Sequence, residues 1–320
     1  MKRQFVRAMA ASLALLFCVT ALGQTPPTQG QTPATQGQMQ AAQGQEDYLD
    51  VFSCRVKPEK RSDFDALARK ISDANRANDG DRWIAMEATY GEGNLVNFVS
   101  TRRSYGELDQ ANEAFMKAMA TAMGGQANVQ KAFADFNATL NSSRSEFRRR
   151  RWDLSSNAPS DPAARAKLVG AAKWIRTTMV RVRLGHGPDF EAMLKELKAA
   201  REKTTPQEIT LVSQAVAGQT GTVFYISTLK SSMAGFDGGT PMPQLLGQEG
   251  YQRFLKVSAD SVVNTESAIY RLLPDLSNPP PEVASVASEF WTPQPAVTAA
   301  ATPATTPGKM AAKPRAKAKK

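Results

Sequence analysis

Arg55-Val56-Lys57, followed by Asp63-Phe64-Asp65-Ala66-Leu67, returns 126 residues later as Arg181-Val182-Arg183 and Asp189-Phe190-Glu191-Ala192-Met193, without a gap. Val99-Ser100-Thr101 comes back as Ile226-Ser227-Thr228 at an offset of 127, and Asp153-Leu154-Ser155 as Asp275-Leu276-Ser277 at 122. Echoes in one order with so little drift mean that a whole domain is duplicated, because the period is far longer than a solenoid unit.

Working outward, each copy reads as the same series of elements. The first has a strand at Leu49–Val56 and a helix with Phe64, Leu67 and Ile71 on one stripe. A hairpin then joins Trp83–Tyr90 to Leu95–Thr101 through Gly91-Glu92-Gly93-Asn94. Helices at Glu107–Met123 and Ala127–Ser142, broken at Gly124-Gly125, lead to a strand at Glu146–Trp152. The second copy gives strand Thr177–Leu184, helix Asp189–Arg201, hairpin Glu208–Val216 with Thr222–Thr228, helix Gly250–Thr265 and strand Ala268–Leu273. Each is β-α-β-β-α-β, the ferredoxin-like order. Val96-Asn97-Phe98-Val99 and Val223-Phe224-Tyr225-Ile226 are apolar on both faces, so each sheet needs cover on both sides. The reading predicts an α+β fold with the two ferredoxin-like halves packed sheet to sheet as one intrachain barrel.

The strand–turn–helix opening Val182-Arg183-Leu184-Gly185-His186-Gly187-Pro188-Asp189-Phe190, with this element order, resembles the dimeric α/β-barrel superfamily over about residues 48–277. The likeness is to its antibiotic-biosynthesis-monooxygenase-like and NIPSNAP-like families. It implies two domains closed around a central cavity, both in one chain, and cofactor-independent monooxygenase activity or haem ligation by His186 among the chemistries of such relatives.

The ends read differently. Lys2, Arg3 and Arg7 precede an apolar run to Leu22, and Ala21-Leu22-Gly23 suits a cleavage site, so residues 1–23 read as a signal peptide cleaved after Gly23. That predicts a periplasmic or secreted protein. Residues 24–46, which begin with three uncharged Gln-begun heptads, read as a disordered linker, as do residues 279–320, which begin with Pro279-Pro280-Pro281. The halves are expected at 47–156 and 174–278, with a linker at 157–173. The formal charge of +10 sits mostly at the ends, in the leader and in six cations from Lys309 to Lys320. About +3 remains for the folded part, which argues against a nucleic-acid partner. The tail itself suits weak contact with an anionic envelope surface. After cleavage Cys54 alone remains; an intrachain disulfide is excluded, and its alternation with Phe52 and Val56 marks it as core.

Among chemistry-bearing residues, Arg55 and Arg181 match on the first strands, Arg149 and Arg271 on the last, and Glu87 and Gln214 on the second. Arginines at these positions, facing a lumen, would suit a carboxylate or phosphate through their bidentate forks; paired with acids they are structural. His186 is the only histidine, so with one cysteine no ordinary zinc set can form. No Walker loop, nucleophile elbow or dinucleotide fingerprint occurs, so neither metal nor cofactor is expected. The function these features favour is an exported, non-catalytic, monomeric barrel binding a small anionic or amphipathic ligand. The alternative is a cofactor-independent monooxygenase-like enzyme.

Overall fold

A computed structural model describes residues 48–205 and 207–292. The leader, the Gln-rich heptads and the basic tail lie outside the described residues. The first half comprises β1 (Tyr48–Val56), α1 (Arg61–Ala77), β2 (Ile84–Tyr90), β3 (Leu95–Arg102), α2 (Gly106–Met123), α3 (Gln126–Ala138) and β4 (Leu140–Arg150). After α4 (Pro162–Gly170) the second half runs β5 (Trp174–Val182), α5 (Gly187–Arg201), β6 (Leu211–Ala217), β7 (Thr222–Lys230), α6 (Met242–Ser261) and β8 (Val262–Leu272).

The strands close into a barrel in the order β1-β3-β2-β8-β5-β7-β6-β4, so each half contributes a ferredoxin-like sheet, β4-β1-β3-β2 or β8-β5-β7-β6. The architecture is α+β, a dimeric α/β barrel made by one chain. The inner faces of the two sheets meet across the lumen, and their edges are hydrogen-bonded at two seams. At one, β2 pairs antiparallel with β8; at the other, β4 with β6. Closure removes the free edges that open sheets must otherwise protect.

Alternation then sorts the side chains. Cys54 and Val56 of β1 and Ala85 and Val96 point outward onto Phe64, Ile71, Met119 and Phe136 of the helices. The second half repeats this with Val180, Val182 and Phe224 against Phe190, Leu194 and Leu197. Phe64, Phe190 and Phe224 are fully buried, each contributing about 2–3 kcal/mol of transfer free energy. Gly124 and Gly125, at φ 73° and 119°, break the helical run between α2 and α3 as the sequence predicts.

The repeated Asp-Leu-Ser motif proves to be a clasp across each seam. Ser155 Oγ, just past β4, accepts from the Val212 N–H of β6 at 2.9 Å, and Ser277 Oγ, just past β8, accepts from the Ala85 N–H of β2 at 2.9 Å. Leu154 and Leu276 are buried beside them, and bridges Ser156–Thr210 and Trp83–Asn278 extend each seam by one further pairing.

Four features differ from the sequence reading. β4 begins at Leu140, not near 146, and β8 at Val262, not near 268. Their polar first halves, Asn141–Ser145 and Val263–Ser267, are exposed on both faces, so no apolar alternation marks them as strand. The segment expected to serve only as linker at 157–173 contains α4, capped by the Asp161 carboxylate accepting from the Ala164 N–H at 2.7 Å. Residues 279–292, expected to belong to the disordered tail, are part of the fold: helical turns at Pro281–Ala284 and Ser288–Trp291 bury Val283 and Trp291. Pro281 starts a helical turn there instead of ending the domain.

These two additions close one mouth of the barrel. Inward-facing Leu272, Ile84, Met86, Ile175 and Leu229 pack on Ala166, Val169, Val283 and Trp291. The Trp291 indole donates to the Gly170 carbonyl at 2.9 Å.

Candidate functional site in the barrel lumen

Register fixes the lumen wall. Val51, Ser53 and Arg55 of β1 lie opposite Val99, Asn97 and Leu95 of β3, and opposite Glu146, Arg144 and Ser142 of β4. In the other half Thr177, Met179 and Arg181 lie opposite Ser227, Tyr225 and Val223, and opposite Ala268, Glu266 and Asn264. Met86, Val99, Met179 and Tyr270 point inward yet stay only half-buried.

At one side of this interior sits a closed polar network. Glu146 is 5% exposed, and its Oε2 accepts from the Tyr225 hydroxyl at 2.6 Å and from Arg148 Nε at 2.9 Å. Its Oε1 accepts from Gln219 Nε2 at 2.6 Å, and Gln219 also donates to the Tyr225 oxygen at 3.0 Å. The Arg148 guanidinium lies 3.4 Å from the Tyr225 ring centroid, a cation–π contact shielded from water. Burial pushes the Tyr225 hydroxyl well above its ordinary range, with the Glu146 carboxylate adding to the rise, so it remains a donor at neutral pH.

Beside the network stand Tyr270 and Asn97. Burial raises the Tyr270 hydroxyl too; Asn97 offers it a hydrogen bond, and Arg148, Glu146 and Glu92 are close enough to act on it electrostatically. Asn97 is 5% exposed and its Oδ1 has no hydrogen-bond partner. A buried acceptor left open is rare in a folded protein and expensive to leave unpaired.

The residues singled out from the sequence fall in four places. Arg55 and Arg181 have inward parity but sit at the hairpin end of the barrel. Arg55 pairs with Glu92 at 2.8 Å, and Arg181 donates to the Thr220 carbonyl and to Gln219 at 3.2 Å. Arg149, Arg271, Glu87 and Gln214 do not line the lumen: Arg149 faces Gln214 across one seam and Arg271 faces Glu87 across the other, all on the helix side. The reason is that Phe147 points outward to stack on Tyr48, which carries Arg149 outward two residues on. Glu87 accepts from Arg271 at 3.1 Å and from Arg61 at 2.6 Å. Gln214 accepts from Arg151 at 2.9 Å, and Arg151 also grips Glu191 and Asp153, each at 2.7 Å. These are matching ionic locks that tie α1 and α5 to the seams. His186 precedes α5, half exposed, 3.5 Å from Asp189. Cys54 is buried on the helix side, and burial pushes its thiol up, away from reactivity.

Glu146, Arg148, Tyr225, Tyr270 and Asn97 carry the lumen chemistry, and sequence reasoning missed them. The available signal was alternation within Glu146-Phe147-Arg148, where the single large apolar residue names the outward face. Among the described residues no group of three or more His, Cys, Asp or Glu could hold a metal ion, and no helix is long and apolar enough to cross a membrane.

No protein-family model and no curated protein matches this chain. Solved structures do. An anthrone oxidase-like protein is similar at 13% identity and TM-score 0.45, over 72% of this chain and 92% of its own. A proposed monooxygenase from Lactobacillus acidophilus matches at 10% identity and TM-score 0.43, over 71% and 94%. Chlorite dismutase from Candidatus Nitrospira defluvii, in complex with imidazole, matches at 7% identity and TM-score 0.39, over 80% and 100%. Likenesses this distant say nothing about activity; the architecture rests on the strand order and seams of the chain itself.

Proposed function

We propose that this is an exported, non-catalytic barrel that holds a small amphipathic molecule in its lumen. The observation that carries the reading is the half-buried wall of Met86, Val99 and Met179 beside Tyr270 and the unpartnered Asn97 Oδ1. An apolar lining with a few convergent polar groups is the ordinary make-up of a ligand cavity. The buried carboxylate that would serve an enzyme as base, Glu146, has both oxygens engaged by donors, which weighs against the monooxygenase-like alternative. Mass spectrometry of an organic extract from natively purified protein tests the proposal. A recurring small molecule, absent from a Tyr270→Trp variant that fills the lumen, supports it. Oxygen consumption on a quinol or aromatic substrate, lost in the same variant, would replace it with the enzyme.

Export rests on the leader, and N-terminal sequencing of the mature protein should begin at Gln24. The six tail cations from Lys309 to Lys320 support loose, salt-sensitive adhesion to anionic surfaces. A chain ending at Thr292 keeps the described fold intact, so unchanged retention of that chain on anionic vesicles at low salt would remove the adhesion reading.

A further inference from the structure

The two seams are built from equivalent residues that have diverged. Glu146 lies opposite Val51 and against Gly218; Ala268 lies opposite Thr177 and against Gly91. Asn97 and Tyr225 likewise occupy equivalent positions, opposite Ser53 and Met179. By the same offsets Arg148 answers to Tyr270, and Gln219 to Glu92. Where the β4–β6 seam places a carboxylate among Tyr225, Arg148 and Gln219, the β2–β8 seam has the methyl group of Ala268, with Asn97, Tyr270 and Glu92 at the positions that answer to those three.

We infer that the volume Glu146 fills at one seam is, at the other, a recess for the head group of a ligand, and that this head is uncharged and both donates and accepts hydrogen bonds, as a primary carboxamide does. This deepens, and rests on, the lumen-binding reading. Two features set the class. The charged groups acting on Tyr270 are already paired, Glu146 with Arg148 and Glu92 with Arg55, so beside Tyr270 no net charge awaits a counter-ion. One group is left open, the Asn97 Oδ1 acceptor, and it suits the N–H of an amide; the Tyr270 oxygen already takes a hydrogen bond from Asn97, which turns its own O–H to the amide carbonyl. A carboxylate would satisfy Tyr270 but leave Asn97 Oδ1 facing another acceptor. The apolar body then lies against the half-buried wall of Val99 and Met86.

Ligand-observed NMR titration of the full mature chain with benzamide, benzoate and toluene tests this. Benzamide should bind about tenfold more tightly than toluene, the order expected of one or two well-placed hydrogen bonds, and benzoate no more tightly than toluene. Asn97→Leu, close to isosteric, and Tyr270→Phe should each reduce benzamide to the toluene level while toluene binds as before. Ala268→Glu, which restores the missing carboxylate, should exclude benzamide. Circular dichroism and a thermal melt establish that each variant is folded. Toluene binding without a preference for benzamide, benzoate binding as tightly as benzamide, or a preference that survives Asn97→Leu overturns the head-group inference alone. Failure of all three probes overturns the lumen reading with it.

Discussion

Replacing Glu146 by Leu removes the acceptor that Arg148, Tyr225 and Gln219 share, and leaves a guanidinium of 13% side-chain exposure without its counter-ion. Breaking a buried pair from one side costs about 3–5 kcal/mol. The lower end applies, because Arg148 keeps the Tyr225 ring face and some contact with water. At a urea slope of about 3 kcal/mol/M, a loss of about 3 kcal/mol moves the unfolding midpoint down by about 1 M. Arg148→Met alone should cost a similar amount, since Glu146 then keeps only neutral donors. The double variant Glu146→Leu/Arg148→Met should recover most of the loss, because the charge that burial penalises is gone from both sides. What remains is about 1 kcal/mol for the Tyr225 hydroxyl stripped of its carboxylate. Urea unfolding of all four proteins completes the cycle, with a coupling of about 5 kcal/mol if the singles each cost about 3 and the double about 1. A double variant as unstable as the sum of the singles would show that the pair is not the unit described.

Three further outcomes follow from the same contacts. Burial alone would raise Glu87, but Arg271 and Arg61 more than offset it and hold the carboxyl below its ordinary range, while Arg151 does the same for Asp153 and Glu191. Their contribution is complete above the unfolded carboxylate values of about 3.9–4.3 and fades as pH falls through the lower folded ones, so thermal melts should drop below about pH 4 and Glu87→Gln should flatten that drop. Ser277→Ala or Ser155→Ala leaves a buried backbone N–H unpaired and should cost about 1–3 kcal/mol in the same urea assay; a neutral result would show that the serine clasps are incidental. At Gly170 an added Cβ would come within 2.4 Å of the Val283 carbonyl, so Gly170→Ala should push the C-terminal turns off the barrel mouth, costing about 1–3 kcal/mol and raising the fluorescence of an apolar dye.

The duplication made the fold legible, because Arg55/Arg181 and Phe64/Phe190 mark the same strand–helix unit twice and a strand such as Val223–Ile226, apolar on both faces, requires a second sheet. Seams were beyond reach: nothing in Glu87 or Arg271 says that β2 and β8 will be neighbours, since that pairing is non-local. The site suffered from parity. A strand that starts six residues earlier than its apolar alternation suggests offers few inward cues, and the expectation that Arg149 and Arg271 line the lumen fails because Arg148 and Tyr270, one position away, and Glu146, three positions from Arg149, face inward. At the C-terminus three prolines masked Trp291, whose size alone is out of place in a low-complexity tail.

The serine clasps also decide what the peptide bonds between the halves are for. Asp153–Ser156 follows β4 yet grips β6, and Asp275–Asn278 follows β8 yet grips β2, so each half is locked by its own last residues onto the other. A protease cut near Pro159 would therefore release nothing: two fragments would remain clasped and run as one body through a sizing column in native buffer, separating only in denaturant. The covalent link raises the effective concentration of one half for the other during folding, and afterwards the ladder and clasps do the holding.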